Sequence, residues 1–183
     1  LIARMQEMGV RIISYAHCST GEIHFHPILN LHTREGIEKY RNVLVETAKI
    51  VKKYRGSLCG EHGDGRLRGE MIPFMYGENI YNFFKEIKAT FDPDNIFNPG
   101  KIVDAPRMNT FLRVNPENKR NKLYTYFNFD DYGGIERFAE KCNGSGDCRK
   151  PQELGGTLCP SYKATRDEKD STRARANMLR EML

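Results

Sequence analysis

His17 and His24, with six residues between them, and the adjacent pair Glu61-His62 in the turn Gly60–Gly65 (GEHGDG) have the residue types and spacing for metal and proton chemistry. Imidazole is the commonest metal ligand near neutral pH. Two imidazoles and one carboxylate leave coordination positions open for substrate oxygens and water. Glycines around Glu61 let a carboxylate approach closely, and His62 follows it directly. An acid–base group could therefore lie beside a metal without being consumed as a ligand. His26 is two residues beyond His24, on the same side of an extended chain. Bland alternatives stand beside this. A single His on a polar strand face is ordinarily a solvated surface residue, because ligand roles need convergent partners. GEHGDG could cradle a phosphate on its free amides, although it lacks the Lys-Ser/Thr ending of a nucleotide-binding loop.

A second group of chemical residues is Cys142, Cys148 and Cys159, spaced C-x5-C-x10-C-P among glycines. Converging thiolates and glycines that turn backbone amides toward sulfide suit an iron–sulfur cluster. The common run is C-x2-C-x2-C-x3-C-P, and Ser145 stands where its second cysteine would fall. A zinc loop and a non-ligating loop are the alternatives.

The elements that must position these residues follow from periodicity. Ala3 to Met8 reads as the end of a helix closed by Gly9, and Arg11 to Ala16 as a strand rich in β-branched and aromatic residues. His17 to Gly21 should turn the chain. Glu22 to Leu31 then alternates, with Ile23, Phe25 and Pro27 on one face and His24 and His26 on the other, so an antiparallel hairpin is expected. Thr33 is the expected N-cap of a helix over Arg34 to Tyr54, with Ile37, Tyr40, Leu44, Thr47, Ile50 or Val51, and Tyr54 as its apolar stripe. Ser57 to Cys59 is a short strand candidate. Arg68 to Tyr76 should be helical, with Pro73 near its start or as a kink. A further helix over Glu78 to Phe91 should bury Ile80, Phe83, Phe84, Ile87 and Phe91, ending at Asp92-Pro93-Asp94. Asp104 to about Tyr132 is polar and linker-like, with one or two short strands around Leu123 to Phe129. The cysteine loop then leads into a charged helix from Ser171 to Leu183. The expected fold class is α+β, an antiparallel sheet covered by helices, followed by the start of a small helical unit.

Composition sets the outer limits. The 183 residues include ten Phe and nine Tyr, 39% hydrophobic and 29% charged residues, which suits a folded domain with a small appendage. A net charge of +5, with Lys and Arg mixed among Asp and Glu, lacks the basic stripe of a nucleic-acid binder, so none is expected. No run approaches the roughly 20 apolar residues of a membrane span. Five unevenly placed cysteines make a poor disulfide framework and point to a reducing cytoplasm, with peripheral membrane association left open. The chain begins at Leu1 inside an apparent helix, so a fragment of a longer protein is expected.

Taken in order, His17-x6-His24, the segment Cys59 to Gly65 (CGEHGDG) and Phe91 to Pro106 (FDPDNIFNPGKIVDAP) resemble the C-terminal half of FAD-linked oxidases of the vanillyl-alcohol-oxidase type. That family includes D-lactate, glycolate and D-2-hydroxyglutarate dehydrogenases. The resemblance implies a divalent ion, zinc or manganese, on His17, His24 and Glu61, acting as a Lewis acid on the substrate hydroxyl. It implies that His62 takes the hydroxyl proton while hydride leaves for the flavin. Asn98 and Gly63 are expected to face the FAD, most of which a domain outside this chain would bind. A purely structural turn is the alternative for Asn98. His26 and Arg66 are the local candidates for substrate contact, and Arg66 has a solvated turn residue as its alternative. One departure concerns the turn before His24. Ser19, Thr20, Gly21, Glu22 and Ile23 replace the family's usual Gly-Asp-Gly-Asn-Leu. A branch in which the oxidase is fused to an iron–sulfur module fits this turn better.

The stretch from Ile135 to Leu183 resembles the start of that module. Its three thiols cannot complete a four-thiolate site, and no intact cluster is expected in the isolated chain. The expected organisation is an N-terminally truncated oxidase C-terminal (substrate or cap) domain over 1–107, a linker over 108–134 and a partial ferredoxin-type iron–sulfur domain over 135–183. The expected activity is oxidation of a D-2-hydroxyacid to the 2-oxoacid, hydride passing to FAD and electrons onward through iron–sulfur clusters to a quinone or an electron-transfer protein. A homo-oligomer is compatible with this, and the isolated chain is expected to be inactive. Two other classes remain at this stage. One is a metal-dependent hydrolase or lyase using His17, His24 and Glu61; the other is a non-catalytic iron–sulfur or zinc interaction module.

Overall fold

In the computed structural model, which describes residues 1–117, 123–156 and 158–183, the longest element begins where the sequence supplies its cap. Thr33 is extended, and its hydroxyl accepts a hydrogen bond from the Gly36 amide at 3.0 Å. That satisfies one of the orphan donors of α2 (Arg34–Lys53). Two apolar clusters grip this helix. Val43 packs with Met5 and Val10, and with Leu1, Met8, Ile12, Phe25 and Leu29 around them. Leu44 and Ala48 pack with Met71 and Met108, flanked by Tyr40, Val45, Leu58 and Met75. The buried residues are Gly36, Val43, Leu44, Thr47 and Ala48; Leu44 and Thr47 lie on the expected stripe, Tyr40 packs against the same cluster, and Val43 and Ala48 flank it. Tyr54, expected at the stripe's end, is 75% exposed. Small residues such as Ala48 mark a close contact that a count of large apolar residues overlooks.

Helix α1 (Ile2–Glu7) precedes strands β1 (Arg11–His17) and β2 (Glu22–Ile28), which pair antiparallel with Tyr15 opposite His24 and His17 opposite Glu22. Parity then assigns the faces. Ile12 and Phe25 turn toward α1 and α2 and join their core. Tyr15, His17, Glu22, His24 and His26 share the other face. Among the described residues the sheet has these two strands.

Ser57 to Cys59 is therefore a correction: it is irregular, not a strand. Among the described residues no strand edge pairs with it, and Leu58 instead anchors in the Leu44–Met108 cluster. Beyond the Gly60–Gly65 turn come α3 (Gly65–Arg68), a 3₁₀ turn (Gly69–Met71), α4 (Ile72–Tyr76) with Pro73 in its first turn, and α5 (Glu78–Phe91). Glu70 fastens this run to α2. Its carboxylate accepts from Arg41 Nε and Nη2 (3.1 and 2.9 Å) and from the Met108 amide (2.9 Å).

The face of α5 is a second correction. Tyr81 is its buried residue, its hydroxyl accepting from the Asp104 amide at 2.9 Å. Ile80, Phe83, Ile87 and Phe91 lie 42 to 80% exposed. Periodicity correctly groups these side chains on one stripe, but the described residues leave it exposed. At its end Asp92 accepts from the Ile96 and Phe97 amides (2.8 and 3.0 Å) and pairs with Lys88.

The described chain forms two compact units, Leu1–Asn118 and Lys119–Leu183. The second contains α6 (Ile135–Ala139), α7 (Pro160–Thr165) and α8 (Thr172–Met182), joined by turns. Phe138 packs against Phe129 and Tyr132. Ser171, fully buried, caps α8 by accepting from the Ala174 amide at 3.0 Å. The short strands expected around Leu123 to Phe129 are not formed. Tyr124, Tyr126 and Phe127 are highly exposed there, without a partner edge among the described residues. Positions 118–122 of the expected linker lie outside the described residues. No helix of the described residues is long and apolar enough to cross a membrane.

Candidate metal centre

The hairpin brings His17 and His24 to one end of its free face because they occupy alternate, cross-strand positions around the four-residue turn Cys18–Gly21. The Thr20 amide and hydroxyl both donate to the His17 carbonyl at 3.1 Å, which closes that turn. Tyr15, directly opposite His24, stacks on its ring with centroids 4.7 Å apart and planes 9° from parallel. The His17 and His24 rings meet edge to face at 5.0 Å.

Glu61 arrives from the other side, on the turn after α2. Leu58 holds the entry to that turn in the core. Arg68 holds its exit, donating to the Gly63 carbonyl at 2.6 Å and to Cys59 Sγ at 3.6 Å. The Glu61 carboxylate then lies between the histidines, with Oε1 at 3.1 Å from His24 Nε2 and Oε2 at 3.9 Å from His17 Nε2. His62 Nε2 is 2.8 Å from Glu61 Oε1, and its side chain is 78% exposed. The sequence thus brings together all four residues it singled out.

The donor set fits a divalent ion. One ligand atom from each of His17, Glu22, His24 and Glu61 lies within 4.8 Å of all the others. Ligand bonds of about 2.0–2.2 Å put neighbouring ligand atoms about 3–4 Å apart. His24 Nε2 is buried and has no hydrogen bond, despite its closeness to the Glu61 oxygen. A buried nitrogen close to a carboxylate oxygen yet not aligned to hydrogen-bond it is compatible with two ligands of one cation.

Glu22 was not singled out by the sequence reading. It alternates with His24 on the same face and faces His17 across the hairpin, so strand parity alone carried the signal. Tyr15 and Arg68 were also missed: the first is legible only from register, the second only from the folded turn.

The other expected contact residues are more scattered. His26 Nε2 lies 3.2 Å from the Tyr15 hydroxyl, one step along the same face. Arg66 donates to the Thr110 carbonyl at 3.0 Å and lies over the Phe111 ring at 5.1 Å. With Pro99, Gly100, Lys101 and Pro106 it lines a cleft of about 360 Å³. Asn98 is exposed with a left-handed φ of +51°, and Gly63 has φ +72°. In the second unit Cys142 and Cys148 are half-buried and Cys159 is buried. The Cys159 thiol is lowered to about 7, first by the Thr172 hydroxyl and then by the Tyr162 amide. Among the described residues, the three thiols do not converge as the histidine–carboxylate group does.

Comparison with known proteins places the chain among flavin-linked enzymes. Over 99% of its length the chain is 30% identical to a D-2-hydroxyglutarate dehydrogenase of Pseudomonas putida and to one of Escherichia coli. Over 54% of its length it is 32% identical to a D-lactate dehydrogenase of Archaeoglobus fulgidus. It spans about 18% of the length of the first two and 21% of the third. No solved structure matches the chain. Residues 1–102 match the model of the FAD linked oxidases, C-terminal domain, and the chain belongs to that family.

Proposed function

We propose that the chain supplies the substrate-side domain of a flavin-dependent dehydrogenase that oxidises a D-2-hydroxyacid, of the D-2-hydroxyglutarate or D-lactate class, to the 2-oxoacid. The observation that carries this reading is the convergence of His17 and His24 on the Glu61 carboxylate with His62 directly beside it. A bound zinc or manganese ion would supply Lewis acidity toward the substrate hydroxyl, and the flavin would supply the hydride acceptor. His17, His24 and Glu61 are the residues that would hold the metal. His62, exposed and off the ligand set, takes the hydroxyl proton. The Glu61 carboxylate, with Oε1 2.8 Å from His62 Nε2, stabilises the positive charge that His62 gains on taking that proton. Loss of that proton from the hydroxyl and of a hydride from the α-carbon together leave the ketone.

Around this centre, His26 and Arg66 contact substrate, and Gly63 and Asn98 approach the flavin. The apolar stripe of α5, with Ile96 and Phe97 beyond it, supports a covering neighbour such as the flavin domain, since exposed patches of this kind mark interfaces. Residues 1–107 form the substrate domain, 108–134 a linker and 135–183 the first arm of an iron–sulfur domain. Cys142, Cys148 and Cys159 are ligands there, with others supplied from outside these three. The spacing of the three cysteines among glycines, ending in Cys-Pro, supports that part. Electrons pass on to a quinone or an electron-transfer protein, and the protein works in the cytoplasm.

The test is anaerobic mixing of the flavoprotein that carries this chain with D-2-hydroxyglutarate or D-lactate. Bleaching of the flavin band is expected, and His62→Asn should abolish it while metal content is kept. A flavin that no D-2-hydroxyacid reduces would refute the reading. Lost metal in His62→Asn would instead make His62 a ligand.

A further inference from the structure

We propose that Glu22 is a fourth protein ligand of the metal centre, making it a two-histidine, two-carboxylate site. This rests on the metal reading of His17, His24 and Glu61 and extends it to a residue that reading does not contain.

Four observations carry the assignment. Glu22 faces His17 directly across the hairpin and alternates with His24, so its side chain leaves the sheet on the ligand face. Its Oε1 is 3.9 Å from His24 Nε2, and it has a ligand atom within 4.8 Å of those of His17, His24 and Glu61. Its side chain is 18% exposed, and among the described residues the basic side chain within ion-pair distance is the His24 imidazole alone. The half-buried Glu22 carboxylate is therefore held beside the exposed Glu61 carboxylate with no lysine or arginine within ion-pair distance of either among the described residues, an arrangement that a shared cation relieves. Finally, the carboxylate is packed against Gly60. A Cβ built at Gly60 would meet Glu22 Oε1 at 2.3 Å and Cδ at 2.4 Å. The glycine that precedes Glu61 thus leaves the room in which Glu22 lies against the same turn.

The chemistry follows from charge. One carboxylate and two neutral imidazoles leave a divalent ion with a net single positive charge, whereas two carboxylates neutralise it. An added oxygen ligand also shifts preference from zinc toward manganese, because carboxylate suits the harder ion. Glu22 thus sets metal preference and the charge that meets an anionic substrate.

The experiment uses the 183-residue chain with Co²⁺, Zn²⁺ and Mn²⁺ in turn, measuring binding stoichiometry, affinity by competition and the visible spectrum of the Co²⁺ form. Glu22→Gln should weaken Mn²⁺ binding about tenfold or more, weaken Zn²⁺ binding less, and change the Co²⁺ bands. Gly60→Ala should act in the same direction while leaving the Glu22 carboxylate chemically intact. Glu35→Gln, at an exposed position on α2, should change none of these. An unchanged Co²⁺ spectrum and metal preference in folded Glu22→Gln, with the wild type binding one ion, overturns the assignment and leaves the three-residue centre standing. A wild-type chain that binds none of the three ions overturns both.

Discussion

Glu70 offers the most quantitative test of how the run after the Glu61 turn is held to α2. Its side chain is only 10% exposed and accepts three hydrogen bonds, two from the Arg41 guanidinium and one from the Met108 amide. Truncation in Glu70→Ala leaves both donors behind. Arg41, 27% exposed at its side chain, can recover water; Met108, 6% exposed, cannot. A charged hydrogen bond contributes about 1.5–3 kcal/mol and a stranded buried donor costs about 1–3 kcal/mol. These overlap, so the expected loss is about 3 kcal/mol. Glu70→Gln keeps an acceptor for Met108 and loses the charge, so about half of that is expected. With a urea dependence of about 2 kcal/mol per molar, the midpoint for Glu70→Ala should fall by about 1.5 M, followed by helical circular dichroism. Adding Arg41→Ala should cost little more, giving a coupling of at least about 1 kcal/mol in the double-mutant cycle. A midpoint shift below about 0.3 M, or additive single mutants, would show that the Arg41–Glu70–Met108 link does not hold this run to α2.

Two further predictions concern titration. Lys88, and after it the Ile96 and Phe97 amides, hold the Asp92 carboxyl below the ordinary aspartate value. The charged form is the bound one. Its contribution is therefore complete above the unfolded value near about pH 4 and is lost as pH falls through the lower folded value. Asp92→Asn should flatten that acid limb in a circular dichroism titration, and an acid limb identical to wild type would contradict the assignment. Cys159 should ionise at about 7, read from its thiolate absorbance against Cys159→Ser. Thr172→Val should move the midpoint up, whereas ionisation at the ordinary thiol value in both proteins would refute the Thr172 contact.

The sequence was most legible where local rules act alone. Thr33 before an amphipathic run defined the start of α2, and alternation through Glu22–Ile28 put His24 and His26 opposite Phe25. His17 and His24 were readable because a hairpin turn makes them neighbours by counting. Glu22 was readable by the same count, but an acidic residue beside a turn looks like a solvated one until Gly60 is seen beneath it. Covering was not legible. The pattern of α5 defines a stripe through Ile80, Phe83 and Ile87, and whether another surface meets it depends on distant residues. Ser57–Cys59 has strand-like residues but, among the described residues, no edge to pair with, and Leu58 packs against the core instead. Arg68 and Glu70 find partners that only the folded turn and the segment near Met108 supply.

Metal content measured after loading the chain with zinc or manganese and removing free ion tests the central claim most directly. One ion per wild-type chain and none in a folded His17→Ala variant is the predicted result. Equal stoichiometry in the two proteins, or no ion in the wild type, would contradict a centre built on His17, His24 and Glu61.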